Sequence, residues 1–249
     1  MVDPRTSVIA ERLRGVKRII AVSSGKGGVG KSIVATTLAL TLSKKSFRVG
    51  LFDLDFSSPS THIILGAPNV KPKEEKGIVP PTVDGLEYMT LVYFVGDNPV
   101  PLRGEDVSNA LIELLAVTQW GKLDFLVIDM PPGIGDAILD LIRVVNRLEF
   151  LIVTTPSLIA YETVKKQVAL LCELKLPIIG VVENMKIDNK AKGIQGEAEK
   201  LGLNFLGGIP FDTRIEDAIG DKDMLLKTAV GEIIQQISET IILDKKVKG

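Results

Sequence analysis

With 249 residues, 45% hydrophobic and 24% charged, the chain has the composition of a globular protein able to bury a substantial core. A formal net charge of −1 excludes a global field drawing it to nucleic acid or an anionic membrane. The single cysteine, Cys172, excludes an internal disulfide and an all-cysteine metal cage within one chain; with no signal peptide, the expected compartment is the cytoplasm.

The first dozen residues read as a mobile terminus. "RIIAVSS" (18–24) is the first predicted strand, and "SSGKGGVGKS" leads from it into a helix expected over Lys31–Lys44. Gly25 to Ser32 fits G-x-x-x-x-G-K-[ST]. Gly25, Gly27, Gly28 and Gly30 allow the backbone to curl, so that N–H groups from the loop through Val29 to Ile33 can face phosphate oxygens. The helix adds its N-terminal N–H groups and positive dipole end. Lys31 is expected to reach the β- and γ-phosphates and Ser32 to ligate magnesium. Lys26 is the surplus lysine. Spacing leaves it two readings, a solvated side chain or a group reaching a nucleotide held by a second subunit, as an arginine finger does.

"RVGLFDLD" (48–55) is the second strand, ending in Asp53 and Asp55. Carboxylates there either orient the attacking water and hold a magnesium-bound water, or merely cap a strand. Residues 66–85 hold four of the thirteen prolines and read as an exposed loop, with partner docking as the alternative. "LEYMTLVYF" (86–94) is a further strand, and a helix follows over Glu105–Val117. "LDFLVIDM" (123–130) has Walker B form, aiming Asp129 at the magnesium shell. "PPGIG" then supplies a stiff turn with glycine hinges, and Asp136 is either a helix cap or a switch residue.

Helices are expected over Gly135–Arg147, Leu158–Leu174 and Lys227–Leu243, with strands at "EFLIVTTP", "PIIGVVEN" and "NFLGGIP". Cys172 lies in the apolar "VALLCEL" and reads as buried filler. In the last helix Ile233, Ile234, Ile237 and Ile241 recur at helical spacing beside Gln and Glu rather than Lys and Arg, which reads as core packing, not a membrane anchor. "DKKVKG" reads as a mobile end. Strands alternating with helices predict one domain over 1–249, a three-layer, doubly wound, mainly parallel α/β sheet with its site along the strand C-termini.

"KGGVGKS" resembles the deviant Walker A motif of the MinD/ParA/nitrogenase-iron-protein group of P-loop ATPases, of the SIMIBI type. That resemblance implies that Lys26 crosses an ATP-sandwich homodimer to the partner's phosphates. It implies that Asp55 positions the attacking water with Asp53 nearby, and that Asp55–Thr61 and Asp129–Asp136 are the two switch loops. "ENM" (183–185) resembles the family's Glu-Asn-Met, in which the asparagine, here Asn184, meets adenine. Pro210 and Asp212 of "IPFD" would line the base pocket. "ENMKID" has the wrong spacing for guanine-reading Asn-Lys-x-Asp, so ATP with magnesium is expected.

"GVKRIIAVSSGKGGVGKS", "VPLRG", "WGKLDFLVIDMPPGIGD", "GVVENM" and "GGIPFDTRIEDA" together resemble the Mrp/NBP branch, which assembles metallocentres, chiefly as iron–sulfur cluster carriers. Two departures stand out. Ser58-Pro59-Ser60 replaces the family's Gly-Pro-Ser. The Cys-x-x-Cys that follows Glu-Asn-Met in cluster carriers is missing from "ENMKIDNKAKGIQG", and thiolates are what hold such clusters. The cysteine-free form resembles the archaeal Mrp-type hydrogenase maturation ATPases (HypB). The expectation is therefore a slowly hydrolysing homodimeric ATPase that helps a nickel metallochaperone load [NiFe]-hydrogenase. His62, the sole histidine, reads as structural, so the partner would bring the nickel. The alternatives are an iron–sulfur carrier or scaffold using Cys172 across the dimer, and a MinD/ParA-like positioning ATPase. Neither nucleic acid nor membrane is an expected partner.

Overall fold

A computed structural model describes residues 3–67, 70–96, 104–187 and 194–244. Helix α1 (Arg5–Arg12) precedes β1 (Val16–Ser23), α2 (Lys31–Lys44), β2 (Val49–Asp53) and α3 (Thr61–Leu65). Three two-residue strands follow, β3 (Lys73–Glu74), β4 (Ile78–Val79) and β5 (Thr82–Val83). Next come β6 (Leu86–Thr90), α4 (Val92–Val95), α5 (Glu105–Val117), β7 (Leu123–Asp129), α6 (Asp136–Val144) and β8 (Leu148–Thr154). The chain continues through α7 (Leu158–Glu173), β9 (Ile178–Lys186), α8 (Gln195–Lys200) and β10 (Phe205–Pro210). It closes with α9 (Arg214–Ala218), α10 (Lys222–Leu225) and α11 (Ala229–Asp244).

The main sheet runs β10-β9-β8-β1-β7-β2-β6-β5, parallel throughout except for β5, which is antiparallel to β6. Successive strand residues point to opposite faces. Ile19, Phe52 and Ile128 accordingly join one core with Ile9, Leu115, Leu141 and Leu171 from α1, α5, α6 and α7. Ile20, Leu51 and Val127 join the other, with Leu38 and Leu42 of α2 and Ile234 and Ile237 of α11. The expected three-layer parallel sheet is therefore present, and Ile234, Ile237 and Ile241 of the last helix are core residues.

Four local expectations need correction. The opening segment is helical and packed: Ile9 and Leu13 are buried, and the Arg5 guanidinium donates to Asp3 (2.7 Å) and to Asn109 of α5 (3.1 Å). "LVYF" does not extend β6. The Thr90 hydroxyl accepts the Val92 N–H (3.3 Å), and the chain turns into α4. The 66–85 stretch is largely exposed, as expected, but where it is described it is not a plain loop. β3 and β4 pair, Ile78 accepts the Gln119 N–H (2.8 Å), and Arg12 donates to the Lys76 carbonyl (3.0 Å). Cys172 is exposed, because it falls off the Val164–Val168–Leu171 stripe by which α7 meets the core. Of the expected terminal tail, Asp244 closes α11 and 245–249 lie outside the described residues.

Candidate functional site

In the sheet centre, register pairs Val22 with Asp129 and Asp129 with Asp53. The connections after β1, β2 and β7 therefore leave side by side, and the phosphate loop meets both switch loops at one strand edge.

The loop after β1 depends on glycine at two positions of positive φ, Gly28 (+75°) and Gly30 (+79°). A Cβ on Gly30 would lie 2.2 Å from Nδ2 of Asn184, whose amide donates to the Val29 carbonyl at 2.9 Å. Gly25 approaches α7 so closely that a Cβ would come within 2.4 Å of the Thr163 hydroxyl. The loop is thus held from behind by β9 and α7, with α2 opening at Lys31 without any side-chain cap.

The Lys31 ammonium lies 2.6 Å from Asp129 Oδ1, 3.4 Å from Asp55 Oδ2 and 3.4 Å from the Ser32 hydroxyl. Lys31, Asp53, Asp55 and Asp129 are all buried. Asp129 Oδ2 has no hydrogen-bond partner among the described residues. Burial pushes the Asp129 carboxyl above its ordinary range, against the attraction of Lys31. Burial also raises Asp53, to about 7, with the neighbouring Asp129 charge adding to the effect. Asp53 accepts the Asp55 N–H (3.0 Å), the Thr61 N–H (3.3 Å) and the Thr61 hydroxyl (2.6 Å). Asp55 accepts from the Ser57 hydroxyl (2.6 Å) and the Ser58 N–H (3.2 Å).

Above this carboxylate cluster lies a cleft of about 500 Å³ lined by Lys26, Gly27, Gly28, Gly30, Lys31, Ser32, Ile33 and Asp55, with Ser60, Ile63 and Glu216 on its far wall. Lys26 is half-buried and forms no ion pair with a described residue. The second switch loop reaches the first loop through its backbone: the Gly133 N–H donates to the Ser24 carbonyl (2.8 Å), and Pro132 lines the cleft. Asp136 is the first residue of α6, whose capping position is Gly135.

The expected base-binding residues stand apart from this cleft. Asn184 is buried behind the loop with its amide on Val29. Pro210 ends β10, exposed. Asp212 accepts from the Arg214 guanidinium (2.9 and 2.7 Å) and from the Ala229 N–H that opens α11 (2.9 Å). These bonds hold its carboxyl far below the usual range. Sequence reasoning missed Thr61 as a ligand of Asp53, the Tyr88 hydroxyl behind it and Glu216 in the cleft wall. Only Thr61 had a signal, its position at the end of the first switch loop.

The residues suit a phosphate chain with a hard divalent cation. The cradle needs glycine backbone, the ammonium is buried beside it, and the Ser32 hydroxyl and an unpartnered Asp129 oxygen are the oxygen donors magnesium prefers. Among the described residues no three His, Cys, Asp or Glu side chains group to hold a metal by themselves. No described helix is long and apolar enough to cross a membrane.

Comparison with known proteins agrees with this geometry. The ParA family model described as NUBPL iron-transfer P-loop NTPase matches residues 15–244. An iron–sulfur cluster carrier protein of Pseudomonas fragi is 40% identical, over 82% of this chain and 77% of its own length. Another from Pyrococcus furiosus is 35% identical, over 100% of this chain and 94% of its own. Among solved structures, a nucleotide-binding protein from Archaeoglobus fulgidus in complex with ADP superposes with a TM-score of 0.76 at 29% identity, covering 88% of this chain and 92% of that one. These matches overturn the expectation of nickel insertion for [NiFe]-hydrogenase with a nickel metallochaperone. The relatives named above are iron–sulfur cluster carriers, and neither name points to nickel. Reading the missing Cys-x-x-Cys as a change of metal is therefore not upheld.

Proposed function

This chain belongs to the NUBPL iron-transfer P-loop NTPase family, and from that premise we propose that it is a magnesium-dependent ATPase whose nucleotide state governs delivery of iron–sulfur clusters to client proteins. The observation that carries this is the match to iron–sulfur cluster carriers over 82% and 100% of the chain. Lys31 exchanges Asp129 for the β- and γ-phosphates, and the Gly27–Gly30 backbone cradles them. Ser32 and, through water, Asp129 and Asp53 would hold magnesium, which when bound would supply positive charge beside the phosphates. Asp55 orients the attacking water, whose oxygen bonds to the γ-phosphorus as the bond to ADP breaks. Two subunits close on two ATP molecules, Lys26 of each reaching the other's phosphates; Asn184, Pro210 and Asp212, which stand outside the cleft here with Asn184 and Asp212 already bonded, would meet adenine only by giving up those contacts.

Partner release requires that the client bind the ATP and ADP states with different affinity, since equal affinity shifts nothing. The thiol inventory sets the division of labour. One cysteine per chain gives a homodimer two thiolates, whereas these clusters are held by four protein ligands. On this reading the client or a companion protein supplies the remaining ligands. The test uses Asp55→Asn as an ATP-held trap in anaerobic extract. Capture of iron–sulfur apoproteins with ATP and not with ADP is expected. Equal capture in both states, or recovery of DNA-bound or membrane factors instead, would overturn the reading.

A further inference from the structure

A tyrosine hydroxyl is buried under the first switch loop. Tyr88 is 0% exposed, packed in the apolar layer between the sheet and α2. In that layer a phenylalanine ring would pack equally well, and a hydroxyl carries a desolvation cost unless it is bonded. Its partner is Thr61, 0% exposed, at 2.7 Å between the two hydroxyl oxygens. Sheet register explains the meeting. Thr90 of β6 lies opposite Asp53 of β2, and Tyr88, two residues earlier, shares its face.

Direction follows from proton counting. The Thr61 hydroxyl donates to Asp53 Oδ2 at 2.6 Å, so when the carboxylate is ionised Thr61 is left with lone pairs, and Tyr88 donates to it. The other oxygen of Asp53 accepts the Asp55 N–H at 3.0 Å, and the Asp55 carboxylate stands 3.4 Å from the Lys31 ammonium. A continuous path thus runs from the sheet edge through both ends of the switch loop, residues 55 and 61, to the cleft. Neither Tyr88 nor Thr61 lines that cleft.

We propose that Tyr88 and Thr61 are positioning residues for ATP hydrolysis, the hydrogen-bonded chain Tyr88–Thr61–Asp53 pinning both ends of the first switch loop so that Asp55 is aimed at the attacking water. The inference rests on the ATPase reading above. Tyr88→Phe is expected to lower kcat about five- to 150-fold, the range for a lost buried hydrogen bond. KM for ATP, ADP affinity and binding stoichiometry stay at wild-type values. Thr61→Val loses at least as much, Thr61→Ser restores turnover to within about two-fold, and the double variant Tyr88→Phe/Thr61→Val matches Thr61→Val alone, because both act through one path. A purely structural role would instead lower stoichiometry and leave turnover per bound nucleotide unchanged. That result, wild-type kcat in Tyr88→Phe, or additive losses in the double variant would overturn the proposal. Amide hydrogen exchange gives a second arm independent of turnover. The N–H groups of Asp55 and Thr61 should exchange at least five-fold faster in Tyr88→Phe with the 25–30 loop unchanged, and unchanged exchange at 55 and 61 overturns the pinning. If the wild type turns over no ATP, the ATPase reading falls and the exchange arm alone judges the path.

Discussion

Gly30→Ala tests the most tightly specified contact in the site. The added Cβ would stand 2.2 Å from Asn184 Nδ2, and the backbone at +79° is left-handed, where an L side chain is strained. The left-handed conformation costs about 1 kcal/mol for alanine relative to glycine. Displacing the amide breaks its 2.9 Å bond to the buried Val29 carbonyl, costing about 1–3 kcal/mol more. The sum is about 2–4 kcal/mol, or a fall in the unfolding midpoint of roughly 5–15 °C for a domain of this size. Chemical denaturation of nucleotide-free protein measures the first quantity and a thermal scan the second. Asn184→Ala alone loses only the hydrogen bond, and combining the two substitutions removes the collision. The double variant should therefore be more stable than the summed singles predict, by about 1 kcal/mol or more. Gly30→Ala within about 0.5 kcal/mol of wild type, or strictly additive losses, would refute the contact as the reason for glycine.

Other expectations concern charge. Lys31→Met should abolish nucleotide binding, measured calorimetrically. It should also destabilise the free protein by about 3–5 kcal/mol, since Asp129 and Asp55 lose their buried counter-ion; retained ADP affinity would remove Lys31 from the phosphate site. Lys26→Ala should bind ATP normally yet stay monomeric with ATP in light scattering, and normal ATP-dependent dimers would end the proposed crossing role. The Asp53 carboxyl sits at about 7 in the folded chain against 3.8 unfolded, so between those values the folded state keeps a proton the unfolded state has lost. Stability therefore falls as pH rises through that window, and the midpoint of metal-free protein should be lower at pH 8 than at pH 6. Asp53→Asn should flatten that difference; an unchanged slope would show that another group holds the proton.

What was legible in the sequence was local and periodic. The glycine-lysine spacing fixed the cradle, and double-sided apolar runs such as "LDFLVIDM" announced buried parallel strands and the acids at their ends. What was hidden depends on distant segments meeting. Asn184 reaches Val29 across the sheet edge, and Tyr88 meets Thr61 only because the β2–β6 register brings them together. Nothing within ten residues of either encodes that. Helix α1 was missed because its core contact rests on two residues, Ile9 and Leu13, in a polar segment. Cys172 was misjudged because "VALLCEL" is apolar on more of its circumference than the core covers, leaving position 172 outside the buried stripe.

The bond from the Gly133 N–H to the Ser24 carbonyl has a consequence for how this protein can be dissected. It joins the loop after β7 to the root of the glycine-rich loop after β1, and it uses main-chain atoms alone. No side-chain deletion removes its donor or acceptor, and the one alanine at the donor itself, Gly133→Ala, would act through backbone strain at φ +87° rather than through the bond. Replacing the 132–133 amide with an ester, which deletes the donor and keeps every side chain, cuts that one tie. The link is thus written in the polymer rather than in its side chains, and beyond the glycine at 133 it asks nothing of the residues that bear it.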